Sequence, residues 1–115
     1  MAEKTKGQIE SEISEAVIKF EKEYMGRGPK ETKTYLIDDI IFVRLKGVLT
    51  PGEEQLAKTP EGADLIKKTR VQLLEGARGL LENIVLEITG TQVQSMHTDI
   101  STKTGERVIV FTLEK

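Results

Sequence analysis

The stretch MHTDIS, residues 96–101, holds the only histidine of a 115-residue chain, with an aspartate two positions further on. On a strand that spacing points His97 and Asp99 to the same side of a sheet, together with Ser95 and Ser101. Such residues can form a histidine base whose tautomer is fixed by a carboxylate, with a serine available as nucleophile. They can equally form a ladder of hydrogen bonds with no reaction attached. No serine here sits in a G-x-S-x-G turn, and no glycine-rich loop offers an oxyanion hole or a phosphate cradle. The ladder, at a sheet face or a seam between subunits, is the preferred reading, and catalysis by His97 and Asp99 is the lesser one. One histidine and no cysteine cannot build a cysteine or multi-histidine metal site, so neither metal nor cofactor is expected.

A second candidate lies in EYMGRGPKE, residues 23–31, where Arg27 stands between two glycines. Glycine lets a ligand approach the backbone, and a guanidinium fork suits phosphate or carboxylate, so Arg27 and Gly28 are candidate ligand-binding residues. The spacing fits no nucleotide loop, however, and a helix stop with a salt-bridging arginine accounts for it more simply. Lys67, Lys68, Arg70 and Arg78 form a third set, read as the solvated face of a helix. The aromatics Phe20, Tyr24, Tyr35, Phe42 and Phe111 are expected in the core. They offer no platform for base stacking.

The elements that must position these residues are well punctuated. Thr5 and Gln8 form a capping box, after which Ile9, Ile13, Val17, Phe20 and Tyr24 recur on one helix face until Gly26 and Pro29 end it. Residues 32–46, TKTYLIDDIIFVRLK, read as two strands turning at Asp38-Asp39. Thr50-Pro51-Gly52-Glu53 and Thr59-Pro60-Glu61 are two further helix starts. The first opens a short helix to about Lys58, and the second opens a long helix to about Thr89. Gly76 and Gly79 each weaken that helix by roughly 1 kcal/mol relative to alanine, which predicts a close partner or a kink. Residues 92–102 and 106–113 read as a final hairpin around Lys103-Thr104-Gly105. The expected fold is α+β: a two-layer sandwich with a four-stranded antiparallel sheet and helices on one face, in the order α-β-β-α-α-β-β.

The whole chain, 1–115, is expected to be a single domain, with residues 1–6 disordered. The final strand, VIVFTL, and IIFVRL at 40–45 are apolar toward both faces of the sheet, Arg44 apart. A strand apolar on both sides is covered on both sides, which predicts a homo-oligomer, with a two-fold dimer favoured. A net charge of −2 argues against nucleic-acid binding. No apolar run is long enough to span a bilayer and the N-terminus has no signal-peptide pattern, so a cytoplasmic location is expected.

EYMGRGP, IIFVRLKGVLTPGEEQLAKTPEG, the helix ending in ITG, and HTDISTKTGERVIVFTL together resemble a small bacterial family. It is named for the C component (MpsC) of a Na+-translocating, membrane-potential-generating system. The resemblance runs from Gly7 to Leu113, and its most specific segments are G-R-G-P and L-x-G-V-L-T-P-x-E. It implies a soluble accessory protein associated with a cation-translocating or inorganic-carbon membrane system, with no activity of its own established. Taken with the residues, the expected role is a non-enzymatic binding or regulatory module that reaches the membrane through a protein partner. It carries no established catalytic residues, and Arg27, Gly28, Thr50, Pro51, Glu53, His97 and Asp99 are the matched positions of interest. The alternative is a small anion- or metabolite-binding sensor using Arg27 and the basic helix. A small enzyme using His97 and Asp99 comes third.

Overall fold

The computed structural model describes residues 4–114. Helix α1 spans Lys6–Tyr24, and its start is the expected capping box: the Thr5 hydroxyl accepts from Gln8 N at 3.1 Å, and the Gln8 side chain accepts from Thr5 N at 2.8 Å. Disorder over residues 1–6 therefore does not extend to Thr5 and Lys6, and residues 1–3 lie outside the described residues. Met25 caps the other end, and Gly26 follows at φ 80°, the left-handed position that a helix stop favours.

Two hairpins build the sheet. Strands β1 (Glu31–Ile37) and β2 (Ile40–Lys46) turn at Asp38-Asp39, with Asp38 at φ 51°. Strands β3 (Val93–Ser101) and β4 (Glu106–Leu113) turn over residues 102–105. The two hairpins join through β2 and β4, so all neighbours are antiparallel and the order is β1-β2-β4-β3.

One face of this sheet is the core. Ile41, Val43 and Leu45 of β2, Ile109, Phe111 and Leu113 of β4, and Met96 and Ile100 of β3 are all buried there. Ile13, Val17 and Phe20 of α1 meet them, and α1 packs on β1. Burying each such side chain is worth about 1.5–3 kcal/mol, so this layer carries most of the fold's stability.

Between the hairpins run three helices: α2 (Pro51–Leu56), α3 (Pro60–Gly76) and α4 (Arg78–Thr89). Both predicted threonine caps form, Thr50 on Glu53 N and Thr59 on Gly62 N. The stretch expected to be one long helix is broken at Ala77 (φ −100°, ψ 11°), where the Ala77 N–H turns back to the Leu74 carbonyl at 3.1 Å. The flanking glycines explain the break. A Cβ at Gly76 or Gly79 would meet nothing within 4 Å, so they loosen the backbone and do not make room for a partner. Gly62 is the opposite case, because a Cβ there would lie 1.9 Å from the Leu56 carbonyl oxygen. Only glycine lets α2 end against the first turn of α3.

Three aromatics depart from the expected core placement: Tyr24 is 57% exposed, Tyr35 is 37% exposed, and Phe42 is half-buried on the sheet face away from the helices. The α1 face turns slightly, so that Glu21, and not Tyr24, continues the buried stripe.

Candidate functional site

Strand β3 lies at the sheet edge and holds Ser95, His97, Asp99 and Ser101 on the face away from the helices. The shared face does not bring His97 and Asp99 into contact. His97 Nε2 lies 3.3 Å from Ser95 Oγ, and Ser95 is in turn hydrogen-bonded to the Thr112 hydroxyl on β4. Asp99 instead accepts from the Ile100 N–H at 2.8 Å and pairs with Lys67 of α3 at 3.3 Å, reaching around the sheet edge. The Ile100 N–H first, then Lys67, hold the Asp99 carboxyl below its ordinary range despite some desolvation. Serine and histidine thus meet without a carboxylate on the far side of the ring among the described residues. A general base so placed has nothing to fix its tautomer.

Asp99 and Lys67 line the rim of an open depression of about 420 Å³, together with Ser101, Lys103, Glu106 and Val108. His97 does not line it. Among the described residues no group of three or more His, Cys, Asp or Glu side chains is placed to hold a metal ion.

Arg27 has a structural partner. Its Nη1 donates to the Leu49 carbonyl at 3.3 Å, tying the end of α1 to the loop before α2. At Gly28 a Cβ would lie 3.0 Å from Lys22 Cε, so glycine admits the lysine side chain across the turn. The two most specific segments of the sequence, G-R-G-P and L-K-G-V-L-T-P, are therefore in contact.

The basic set on α3 and α4 does not act together. Lys67 pairs with Asp99, Lys68 with Asp64, and Arg78 with Glu82 while donating to the Met96 carbonyl at 3.2 Å. Arg70 corrects the sequence reading most sharply: it is 4% exposed and points inward. Its Nε donates to Glu53 at 3.0 Å and its Nη2 to the Val48 carbonyl at 3.0 Å. Glu53 also closes the Thr50 capping box, so one carboxylate starts α2 and holds α3 against it. Burial pushes the Glu53 carboxyl up, but the hydrogen bonds from Arg70 and the Thr50 N–H outweigh it and hold it below the usual range.

Sequence reasoning missed the rest of this cluster. Arg107 of β4 is 1% exposed and donates to the Arg70 carbonyl at 3.1 Å. Glu21 of α1 is also 1% exposed; neither of its oxygens, nor Arg107 Nε and Nη1, has a hydrogen-bond partner among the described residues. Burial raises the Glu21 carboxyl, against the opposing pull of the Arg107 and Arg70 charges. Burial likewise lowers Arg107, against the pull of Glu21. The signal was phase: Arg70 falls in step with Ile66 and Leu74, and Arg107 alternates in step with Ile109 and Phe111.

On the face of the sheet away from the helices, the rows read across β1, β2, β4 and β3 are Ile37, Ile40, Thr112, Ser95; then Tyr35, Phe42, Val110, His97; then Lys33, Arg44, Val108, Asp99. Ile37 is 56% exposed, and Phe42 and Val110 are half-buried with no element of the chain over them. Apolar rows of this kind suit contact with another protein surface.

No helix is long and apolar enough to cross a membrane among the described residues. Comparison with curated proteins finds two relatives in Bacillus subtilis (strain 168). The chain is 50% identical to "Uncharacterized protein YbcI" over 110 residues, 96% of this chain and 89% of the relative. It is 26% identical to "Uncharacterized protein YrhF" over 106 residues, 90% of this chain and 86% of the relative. No solved structure matches the chain significantly. The model of the family "Na+-translocating membrane potential-generating system (MpsC)" matches residues 5–115, and the chain belongs to that family.

Proposed function

We propose that this protein is a non-enzymatic accessory or regulatory module of a cation-translocating membrane system. It acts in the cytoplasm through protein contacts, made with its own copies and with a partner at the membrane. The observation that carries this reading is the uncovered apolar sheet face, with Tyr35, Ile37, Phe42 and Val110 outward and no element of the chain above them. The family name supplies the membrane system. In this reading Ser95, His97 and Thr112 are a polar border to the contact surface, and Arg27 holds the Leu49 loop in place.

The test is Val110→Glu in cells, with protein abundance and activity of the partner system measured together. A carboxylate set into a covered apolar face without a partner costs several kcal/mol, so assembly fails while the monomer's own core is untouched. The expected result is loss of partner-system function at normal abundance. Normal function in that variant would remove the sheet face as the working surface.

A further inference from the structure

We infer that the outer sheet face docks on a second copy of itself, about a two-fold axis that crosses the strands at the row of Tyr35, Phe42 and Val110. This rests on the contact-surface reading above and names the partner on that surface. Two arrangements bring two such faces together with two-fold symmetry. In one the axis runs along the strands, so that β1 of each copy lies over β3 of the other. In the second the axis crosses the strands, so that each strand lies over its own counterpart, running the opposite way.

Chemistry across the columns separates them. The apolar groups stand on β1, β2 and β4, while the β3 column is Ser95, His97, Asp99 and Ser101. An axis along the strands would press Ile37 onto Ser95 and Tyr35 onto His97. An axis across the strands at the Tyr35 row sets Tyr35, Phe42 and Val110 each on its own counterpart and lays Ile37 and Ile40 along the aliphatic stems of Lys33 and Arg44. It leaves the β3 columns facing each other at the rim, where water reaches them.

Charge makes the same choice, because an axis along the strands offers Lys33 only Asp99, which Lys67 already holds. The turn of the first hairpin carries Asp38 and Asp39, and neither forms an ion pair among the described residues. The far end carries Lys33, Arg44 and Lys46. Arg44 is paired with Glu106 and Lys46 with Glu31, which leaves Lys33 over the Tyr35 ring at 5.5 Å without a carboxylate. The midpoint between Asp38 and Lys33 falls between Tyr35 and Leu36, and that between Asp39 and Arg44 between Ile41 and Phe42, both half a residue from the row of Tyr35 and Phe42. A two-fold axis through this row therefore places the acidic turn of each copy over the basic end of the other, at both strands at once. Sheets stacked about 10 Å apart, aligned to within roughly 30°, permit this superposition. Opposite charges so placed fix orientation more than they add affinity.

The experiment uses the full chain, which has no cysteine of its own. Arg44→Cys and Asp39→Cys are made as separate variants, mixed, and treated with a short thiol cross-linker. Lys33→Cys mixed with Asp99→Cys reports the other axis. Sedimentation of the wild type, and circular dichroism of each variant, accompany the cross-linking. Expected are a wild-type dimer, a covalent dimer from the first mixture and none from the second. Lys33→Glu is expected to raise the dimer dissociation constant about tenfold at low salt. Cross-linking in the second mixture, or a dimer in which neither mixture reacts, overturns the inference. A wild type that sediments as a monomer overturns it too; if that monomer still loses partner-system function on Val110→Glu, the module reading stands without the self-contact.

Discussion

Glu21 is the residue whose chemistry most departs from its surroundings. It lies in the stripe of α1 that meets the core, and burial raises its carboxyl while Arg107 and Arg70 pull it down. A carboxyl raised on folding binds its proton more tightly in the folded chain. Its contribution to stability is therefore complete below the ordinary value of 4.5 and is lost as pH rises through the raised one. Glu53 has the opposite sign: lowered by Arg70 and Thr50 against its own desolvation, it contributes above the ordinary range and loses that contribution on acidification. Glutamine cannot titrate, so Glu21→Gln isolates the first effect. Urea unfolding across the pH range should show the wild type losing stability relative to Glu21→Gln as pH rises above 4.5. A difference that stays constant with pH would mean that Glu21 titrates as freely folded as unfolded. None of this was legible from residue type. A charged letter in a helix reads as solvated face, and only the phase of Arg70 with Ile66 and Leu74 betrays its burial. His97 and Asp99 stood out because their types are rare here, and the structure sends each to a different partner.

At the scale of elements, the tightest contact is between the end of α2 and the start of α3. Gly62→Ala puts a methyl group against the Leu56 carbonyl, backbone against backbone, and neither side can yield as a flexible side chain would. Overpacking in a rigid place costs about 3 kcal/mol, the upper end of the usual range. Gly76→Ala and Gly79→Ala meet open space and are the natural controls. Thermal unfolding should separate them, with Gly62→Ala melting well below wild type and the other two at or above it. Equal melting temperatures for all three would mean that α2 shifts freely on α3. The elements themselves were legible because their ends carry local signals: Thr5 with Gln8, Thr50 with Glu53, Thr59 with Pro60, and the Asp38-Asp39 turn. The break at Ala77 was half legible. Gly76 and Gly79 announced a weak point, yet the apolar stripe through Leu74 and Leu81 argued for continuity, and both statements are true of the same thirty residues. Strand order was not legible, because the β2–β4 pairing joins residues with no local tie between them.

For the molecule as a whole, one layer of helices covers one side of four strands, in a body 51 × 23 × 23 Å. A chain this small buries a limited fraction of its surface, and leaving a second sheet face in water forfeits much of what remains. The apolar letters of VIVFTL and IIFVRL carried that information, since their outward members, Ile40, Phe42, Val108 and Val110, have no covering element within the chain. If copies cover that face, stability depends on how many copies are present. The midpoint of denaturant unfolding should rise with protein concentration, as it does wherever association is linked to folding. A midpoint independent of concentration would describe a monomer stable by itself.

The order β1-β2-β4-β3 also sets a sequence of events in time. Each hairpin closes a short loop and can form early and alone, but the seam between β2 and β4 must bring together segments separated by three helices. Closing so large a loop costs entropy before any contact offsets it, which places the seam at the rate-limiting step. Shortening Val43 or Ile109, which face each other across that seam, should slow refolding in stopped-flow experiments. Shortening Met96, paired within the second hairpin away from the seam, should mainly hasten unfolding. Until the seam closes, β2 and β4 are both open apolar edges. Two chains refolding at high concentration can therefore exchange hairpins, β2 of one pairing with β4 of the other, and the same strand order that makes one sheet from two halves provides for a swapped pair.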